Sequence, residues 1–260
     1  IYRDHVFTHN LHGHQINHQH NVREGSGYET LHAGYDILYC PDPAYVPVDL
    51  KYGPDGAVYI IDWVDRQHCH NPRGETWDRT NGRIYRLSWK ETYKPVKVNL
   101  GAMSDLELAK LQTHKNRWYG QTARRILQER AASNGVAAEA IDHLLNLFYA
   151  PKPSICIPAA WAIHVTNSTA KLNRPLPPHR VDSELLAWIL RMGSEDPVIA
   201  TLFAEQLIEK AKSTQLRSLR LTGFASAILP HLKGDSNFRL ARVLSASNED
   251  ANDRFLPKMI

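Results

Sequence analysis

Carboxylates and imidazoles are concentrated in the first third of the chain, and they are the side chains with chemistry to offer. Asp49, Asp62 and Asp65 fall on or beside a hairpin pattern, His68 and His70 follow in a polar loop, and Asn10, His12, His14 and Asn17 stand upstream. Oxygen ligands of this sort suit Ca²⁺, whereas paired imidazoles suit a transition metal or the removal of a proton from a substrate hydroxyl. On this reading His12 and His14 are the candidate catalytic bases, and Asp62, Asp65, His68 and His70 are the candidate metal or substrate ligands. A solvated, histidine-rich loop accounts for the same residues without any chemistry, so the set is permissive. Nine of the fourteen histidines precede residue 71, seven of them within the first 32 residues, which is why a metal or acid/base role is worth testing.

The elements that must position these groups read as short strands. Val48–Tyr52 and Val58–Trp63 flank Gly53-Pro54-Asp55-Gly56, where proline fixes φ at the first turn position and glycine relieves the exit. In the second strand Tyr59, Ile61 and Trp63 point one way and Val58, Ile60 and Asp62 the other. We therefore expect a strand buried on both faces that ends in a carboxylate, where a sheet stops and a site can begin. Arg83–Leu87 reads as a third strand. Residues 1–46 carry turn signals at Glu24-Gly25-Ser26-Gly27 and Cys40-Pro41-Asp42-Pro43 and no helical period.

From Ser104 the period changes. Ser104-Asp105-Leu106-Glu107 is a capping-box pattern, and Asp196-Pro197 pairs an N-cap acid with proline at the first helical position. Helices are expected to about Gln112 and over Arg117–Ala131, Val136–Tyr149, Ile157–Val165, Asp182–Met192, Gln215–Leu229 and Asn237–Ala246, with one opening at Asp196-Pro197. Asn173–Pro178 reads as a proline-rich link. The second helix of each pair starts near Arg117, Ile155, Pro197 and Asn237, at spacings of 38, 42 and 40. Such a period predicts a HEAT-like α-solenoid over 103–260, with Trp161, Trp188 and Phe203 as packing residues. The boundary between β and α parts is expected between residues 88 and 103.

Composition excludes some classes. A net charge of +4 with interspersed signs gives no basic patch for nucleic acid. No apolar run approaches the roughly eighteen residues of a membrane span. Cys40, Cys69 and Cys156 are odd in number and scattered, without a CxxC pair. The chain opens on Ile1 and stops straight after a helical stretch, so we expect a piece of a longer protein.

Gly-rich phosphate loops, GxSxG, HExxH and CxxCH are absent. The segments Asn10-Leu11-His12-Gly13-His14-Gln15-Ile16-Asn17, Gly25-Ser26-Gly27-Tyr28, Val48–Gly56, Asp62-Trp63, Cys69-His70 and Asn81-Gly82-Arg83-Ile84-Tyr85 resemble the PVC-type haem-binding, membrane-bound dehydrogenase family. That family joins a β-propeller similar to glucose/sorbosone dehydrogenases to HEAT repeats and commonly to a cytochrome c domain. The resemblance implies the terminal part of a β-propeller over 1–95 followed by the solenoid, in an exported or periplasmic bacterial redox protein. It implies oxidation of an aldose or sugar alcohol with Ca²⁺ and pyrroloquinoline quinone as cofactors, and a cytochrome c domain on the same parent chain. Without a haem motif, electron acceptance cannot fall to these residues. The competing expectation is a non-catalytic propeller-plus-solenoid scaffold that binds protein or polysaccharide.

Overall fold

The computed structural model describes residues 5–172, 183–212 and 227–260. The chain divides into two compact units, residues 1–24 with 28–98 and residues 25–27 with 99–260. All described strands precede Ser88, and all described α-helices follow Asn99.

The first unit holds two antiparallel sheets. In one, β1 (His5–Asn10), β2 (Gln15–Glu24) and β3 (Gly27–His32) lie in chain order, and β4 (Leu38–Tyr39) pairs with β2. In the other, β5 (Pro47–Tyr52), β6 (Val58–Asp62) and β7 (Arg83–Leu87) form a meander, with a register shift between Pro47 and Asp49. The β5–β6 turn forms at Gly53-Pro54-Asp55-Gly56, where Gly56 takes the positive φ of 77° that L-residues avoid. Its amide donates to the Gly53 carbonyl at 3.1 Å.

A small core of Ile16, Tyr45 and Ile60 joins the sheets, with Phe7, Leu38 and Leu50 packed against it. Strand β6 buries one face only: Ile60 and Asp62 are each 1% exposed, whereas Ile61 is 44% exposed. The expectation of a doubly buried strand is corrected accordingly. Ile61 stands opposite Ile84, itself exposed, so the second apolar face meets no other layer within this unit.

The propeller expectation is also corrected. The strands make open sheets of four and three strands, and β7, the last strand, is exposed along its whole length. A ring requires at least four blades, so the described part of the expected propeller, residues 5–95, forms two small open sheets and not a propeller.

The second unit is helical: α1 (Asp105–Lys110), α2 (Arg117–Ser133), α3 (Ala138–Phe148), α4 (Pro153–Val165), α5 (Ser183–Gly193), α6 (Pro197–Ala211), α7 (Ser236–Ser245) and α8 (Leu256–Met259). The Ser104 capping box is formed, with Ser104 Oγ accepting from the Glu107 amide and the Glu107 side chain accepting from the Ser104 amide. Asp196 caps α6 by accepting from the Val198 amide at 2.8 Å. Leu144, Phe148, Ile163, Leu186, Ile189 and Phe203 lie in one continuous core. The solenoid expectation falls with the fold class of which it was part. The helix that precedes α2 has 6 residues against 11 for those that precede α4 and α6, so the first pair is not equivalent to the next two. What is observed is a mixed fold of small antiparallel sheets and helices. The link over 173–178 and most of the helix expected over 215–229 lie outside the described residues.

Candidate functional site

One segment, residues 40–46, braces the candidate histidines. The β1–β2 hairpin closes at Asn10 and Gln15 around Leu11-His12-Gly13-His14. Asn10 Oδ1 accepts from the Gly13 amide at 2.8 Å, and a Cβ on Gly13 would fall 2.8 Å from Asn10 Nδ2, so a larger residue here would displace the Asn10 side chain. His14 follows at φ 54°, and its carbonyl accepts from the Cys40 amide at 2.9 Å. Its Nδ1 lies 2.6 Å from the Tyr45 carbonyl oxygen. A carbonyl only accepts, so Nδ1 carries the hydrogen and the neutral ring keeps its lone pair on Nε2.

His68 obeys the same rule with the nitrogens exchanged. Its Nε2 donates to the Pro43 carbonyl at 3.1 Å, leaving the lone pair on Nδ1. The His14 and His68 rings meet edge to face with centroids 4.9 Å apart, and the His12 ring lies 5.9 Å from that of His68. His12 Nε2 is 3.5 Å from Cys69 Sγ. His14 and His68 are half-buried, while His12 and Cys69 are exposed. The result is three imidazoles and a thiol at one end of the β unit.

The two buried acids serve the backbone instead. Asp62 Oδ1 accepts from the Val46 amide at 2.8 Å and the Val64 amide at 3.0 Å. Val64 holds φ 59°, a strained conformation for a β-branched residue, and the Asp62 bond helps to keep it there. Asp62 Oδ2 and the Tyr45 hydroxyl are both buried without a hydrogen-bond partner. Burial, and next the Asp62 charge, push the Tyr45 hydroxyl up to about 12. Asp65 accepts from the Gln67 amide through Oδ1 at 2.9 Å and from the Asp78 amide through Oδ2 at 3.0 Å, which closes the loop that carries His68. His70 is paired with Glu75, Nδ1 to Oε1 at 2.8 Å, and that bond is the chief reason Glu75 is held below the usual carboxylate range.

Of the residues singled out in the sequence, His12, His14 and His68 are therefore brought together. Asp62 and Asp65 are committed to main-chain amides, and His70 to Glu75. Among the described residues none of these three hydrogen-bonds the His12, His14 or His68 rings. Asp49 bonds the Leu50 amide at 2.8 Å and lies 3.4 Å from Lys51 Nζ. Cys69 is a member the sequence reading passed over, and its adjacency to His68 was the one available signal.

A second histidine group was also passed over. The register pairs His5 with His20 and Phe7 with His18, which puts all four on one face of the first sheet. His18 is 1% exposed and is stacked by His5 on one side and Phe7 on the other, at 4.7 and 5.1 Å. His5 Nδ1 lies 2.5 Å from His18 Nε2. Asp36 accepts from the His18 amide at 3.3 Å, from Gln15 Nε2 at 2.9 Å and from His32 Nε2 at 3.0 Å. The signal was the alternation His5, Phe7, His9 against Ile16, His18, His20, which is a strand period with imidazoles on the packed face.

The acids do not fit a bound Ca²⁺, which needs six or more oxygen ligands free to turn toward it. Three of their four oxygens are already held by backbone donors. Among the described residues no group of three or more His, Cys, Asp or Glu is arranged to hold a metal ion.

A family model described as a domain of unknown function (DUF7133) matches residues 1–91, which span the strands and both histidine groups and none of the described helices. No curated protein and no solved structure matches the chain. No described helix is long and apolar enough to cross a membrane.

Proposed function

We propose that the chain supplies the base that takes the hydroxyl proton in an oxidoreductase acting on an aldose or sugar alcohol, in which a quinone-type two-electron acceptor held elsewhere in the parent enzyme takes the hydride from the same carbon, with the helical unit as scaffold. The observation that carries this reading is the His14 Nδ1 bond to the Tyr45 carbonyl at 2.6 Å. It leaves Nε2 as the nitrogen with the free lone pair on a ring oriented by that bond, which is what proton abstraction from a hydroxyl requires. The His68 ring packs against that of His14 in a T-shaped contact, centroids 4.9 Å apart. Further support comes from the resemblance of the Asn10–Asn17 and Val48–Gly56 segments to dehydrogenase relatives. Export and electron transfer to a cytochrome c domain belong to the same proposal.

A second reading, a non-catalytic module that binds protein or polysaccharide, is favoured by one observation: Asp62 and Asp65 are spent on bracing the main chain. Dye-linked oxidation separates the two. The protein, purified at its natural length, is assayed with glucose, sorbitol and sorbosone and a phenazine-coupled dye. The first reading predicts substrate-dependent dye reduction; its absence with every sugar supports the second.

A further inference from the structure

Cys69 is the exposed cysteine of the three; Cys40 is half-buried, and Cys156 lies in the helical core. Its Sγ stands 3.5 Å from His12 Nε2 and has no other hydrogen-bond partner among the described residues. The two side chains arrive from separate turns, each fixed by its own bonds. Asn10 closes the His12 turn through the Gly13 amide at 2.8 Å. Gln67 donates to the Cys69 carbonyl at 2.9 Å and accepts from the Thr76 amide at 2.6 Å, which ties together the loop that carries Cys69. A thiol passes its proton only to a nitrogen with a lone pair, so in the neutral pair the His12 hydrogen sits on Nδ1.

A thiol beside an imidazole is a nucleophile with its base, because the thiolate and not the thiol attacks. Exposure decides what it attacks. Exchange with a disulfide needs access to Sγ and expels a thiolate, which leaves unaided. Attack on a peroxide expels hydroxide, which calls for donors at the leaving oxygen, and His12 is the one side chain bonded to this sulfur. We infer that Cys69 is a modification site that small disulfides convert to a mixed disulfide, with His12 as the base. The thiol proton passes to His12 Nε2 and Sγ attacks one sulfur of RS–SR. The Cys69 Sγ–S bond forms as the S–S bond breaks, and the departing RS⁻ takes the proton back from the imidazolium. One disulfide replaces another, so no electron acceptor is required. The step uses His12 and not His14, so it stands or falls separately from the base proposed for sugar oxidation.

Treatment of the native-length protein with dipyridyl disulfide at neutral pH tests it, with release of the pyridinethione giving the rate and peptide mapping by mass spectrometry giving the site. Modification is expected first at Cys69. His12→Asn, on an exposed side chain, should slow it about tenfold with an unchanged circular dichroism spectrum, because a free thiol is only a few per cent thiolate at this pH. His70→Asn serves as the control: His70 adjoins Cys69 in the chain but is bonded to Glu75, and its loss should leave the rate unchanged. Modification first at Cys40, an undiminished rate in folded His12→Asn, or an equal loss in His70→Asn overturns the proposal.

Discussion

The His14 imidazole and the Tyr45 carbonyl oxygen are 2.6 Å apart, and this single contact decides which ring nitrogen is basic. His14 is held at φ 54°, a conformation uncommon outside glycine, by its own carbonyl bond to the Cys40 amide and by this side-chain bond. Strain concentrated at a residue that the neighbouring segment grips from two sides is the pattern seen where side chains are preorganised.

The tautomers are open to direct observation. Long-range ¹H–¹⁵N correlation at neutral pH should show the hydrogen of His14 on Nδ1 and that of His68 on Nε2. The reverse assignment for His14 would remove the basic Nε2 and with it the proposed role.

Asp62 is a brace for the main chain. Asp62→Ala strands the Val46 and Val64 amides, and each buried donor left unpaired costs about 1–3 kcal/mol. Asp62→Asn keeps the accepting oxygen and should cost less. Urea unfolding checks the order: wild type above Asp62→Asn above Asp62→Ala. Equal midpoints for wild type and Asp62→Ala would show that the amides find other partners.

Tyr45 offers the opposite case. Its hydroxyl is buried without a hydrogen-bond partner, so Tyr45→Phe should leave stability unchanged or raise it by about 1 kcal/mol. The His14 contact uses the main-chain carbonyl and survives the change. A marked loss of stability in Tyr45→Phe would reveal a partner for the hydroxyl, such as a buried water.

Acid should weaken the β unit before its carboxylates protonate. His18 is held below the ordinary 6.5, first by burial and then by His5, His20 and His32, against the pull of Asp36. His9 is lowered by burial against Asp49. Between the lowered folded value and 6.5 the unfolded chain binds more protons, so stability rises with pH there. The contribution is fully present above the unfolded value and is lost as pH falls below it. Thermal midpoints should therefore drop as pH falls through and below 6.5, and less steeply in His18→Gln. A midpoint that holds or rises on acidification would contradict this.

Local signals carried far in this sequence. The Gly53–Gly56 turn, the Ser104 capping box and the Asp196-Pro197 helix start are each decided within a few residues, by φ preferences and by side chains reaching neighbouring amides. What escaped was decided by partners distant in the chain. His12 meets Cys69 across 57 positions, and Asp62 serves Val46 across 16, so nothing near either residue announces its use. Strand β6 was misjudged for a related reason. Its apolar pattern permits burial on both faces, but whether a second layer covers Ile61 depends on elements the local pattern does not specify. The same gap separates blade-like hairpins from a closed ring.

If His14 is the base, imidazole supplied from solution should replace it in a variant that lacks the ring. The second-order rate constant, kcat/KM, for dye-linked sugar oxidation is measured for the native-length protein, for His14→Ala, and for His14→Ala with added imidazole. The account predicts a fall of about 10²–10⁴-fold in His14→Ala and partial recovery with imidazole, which enters the vacated space and takes the proton. An undiminished rate in His14→Ala, or a loss that imidazole does not touch in a variant shown to be folded, would contradict it.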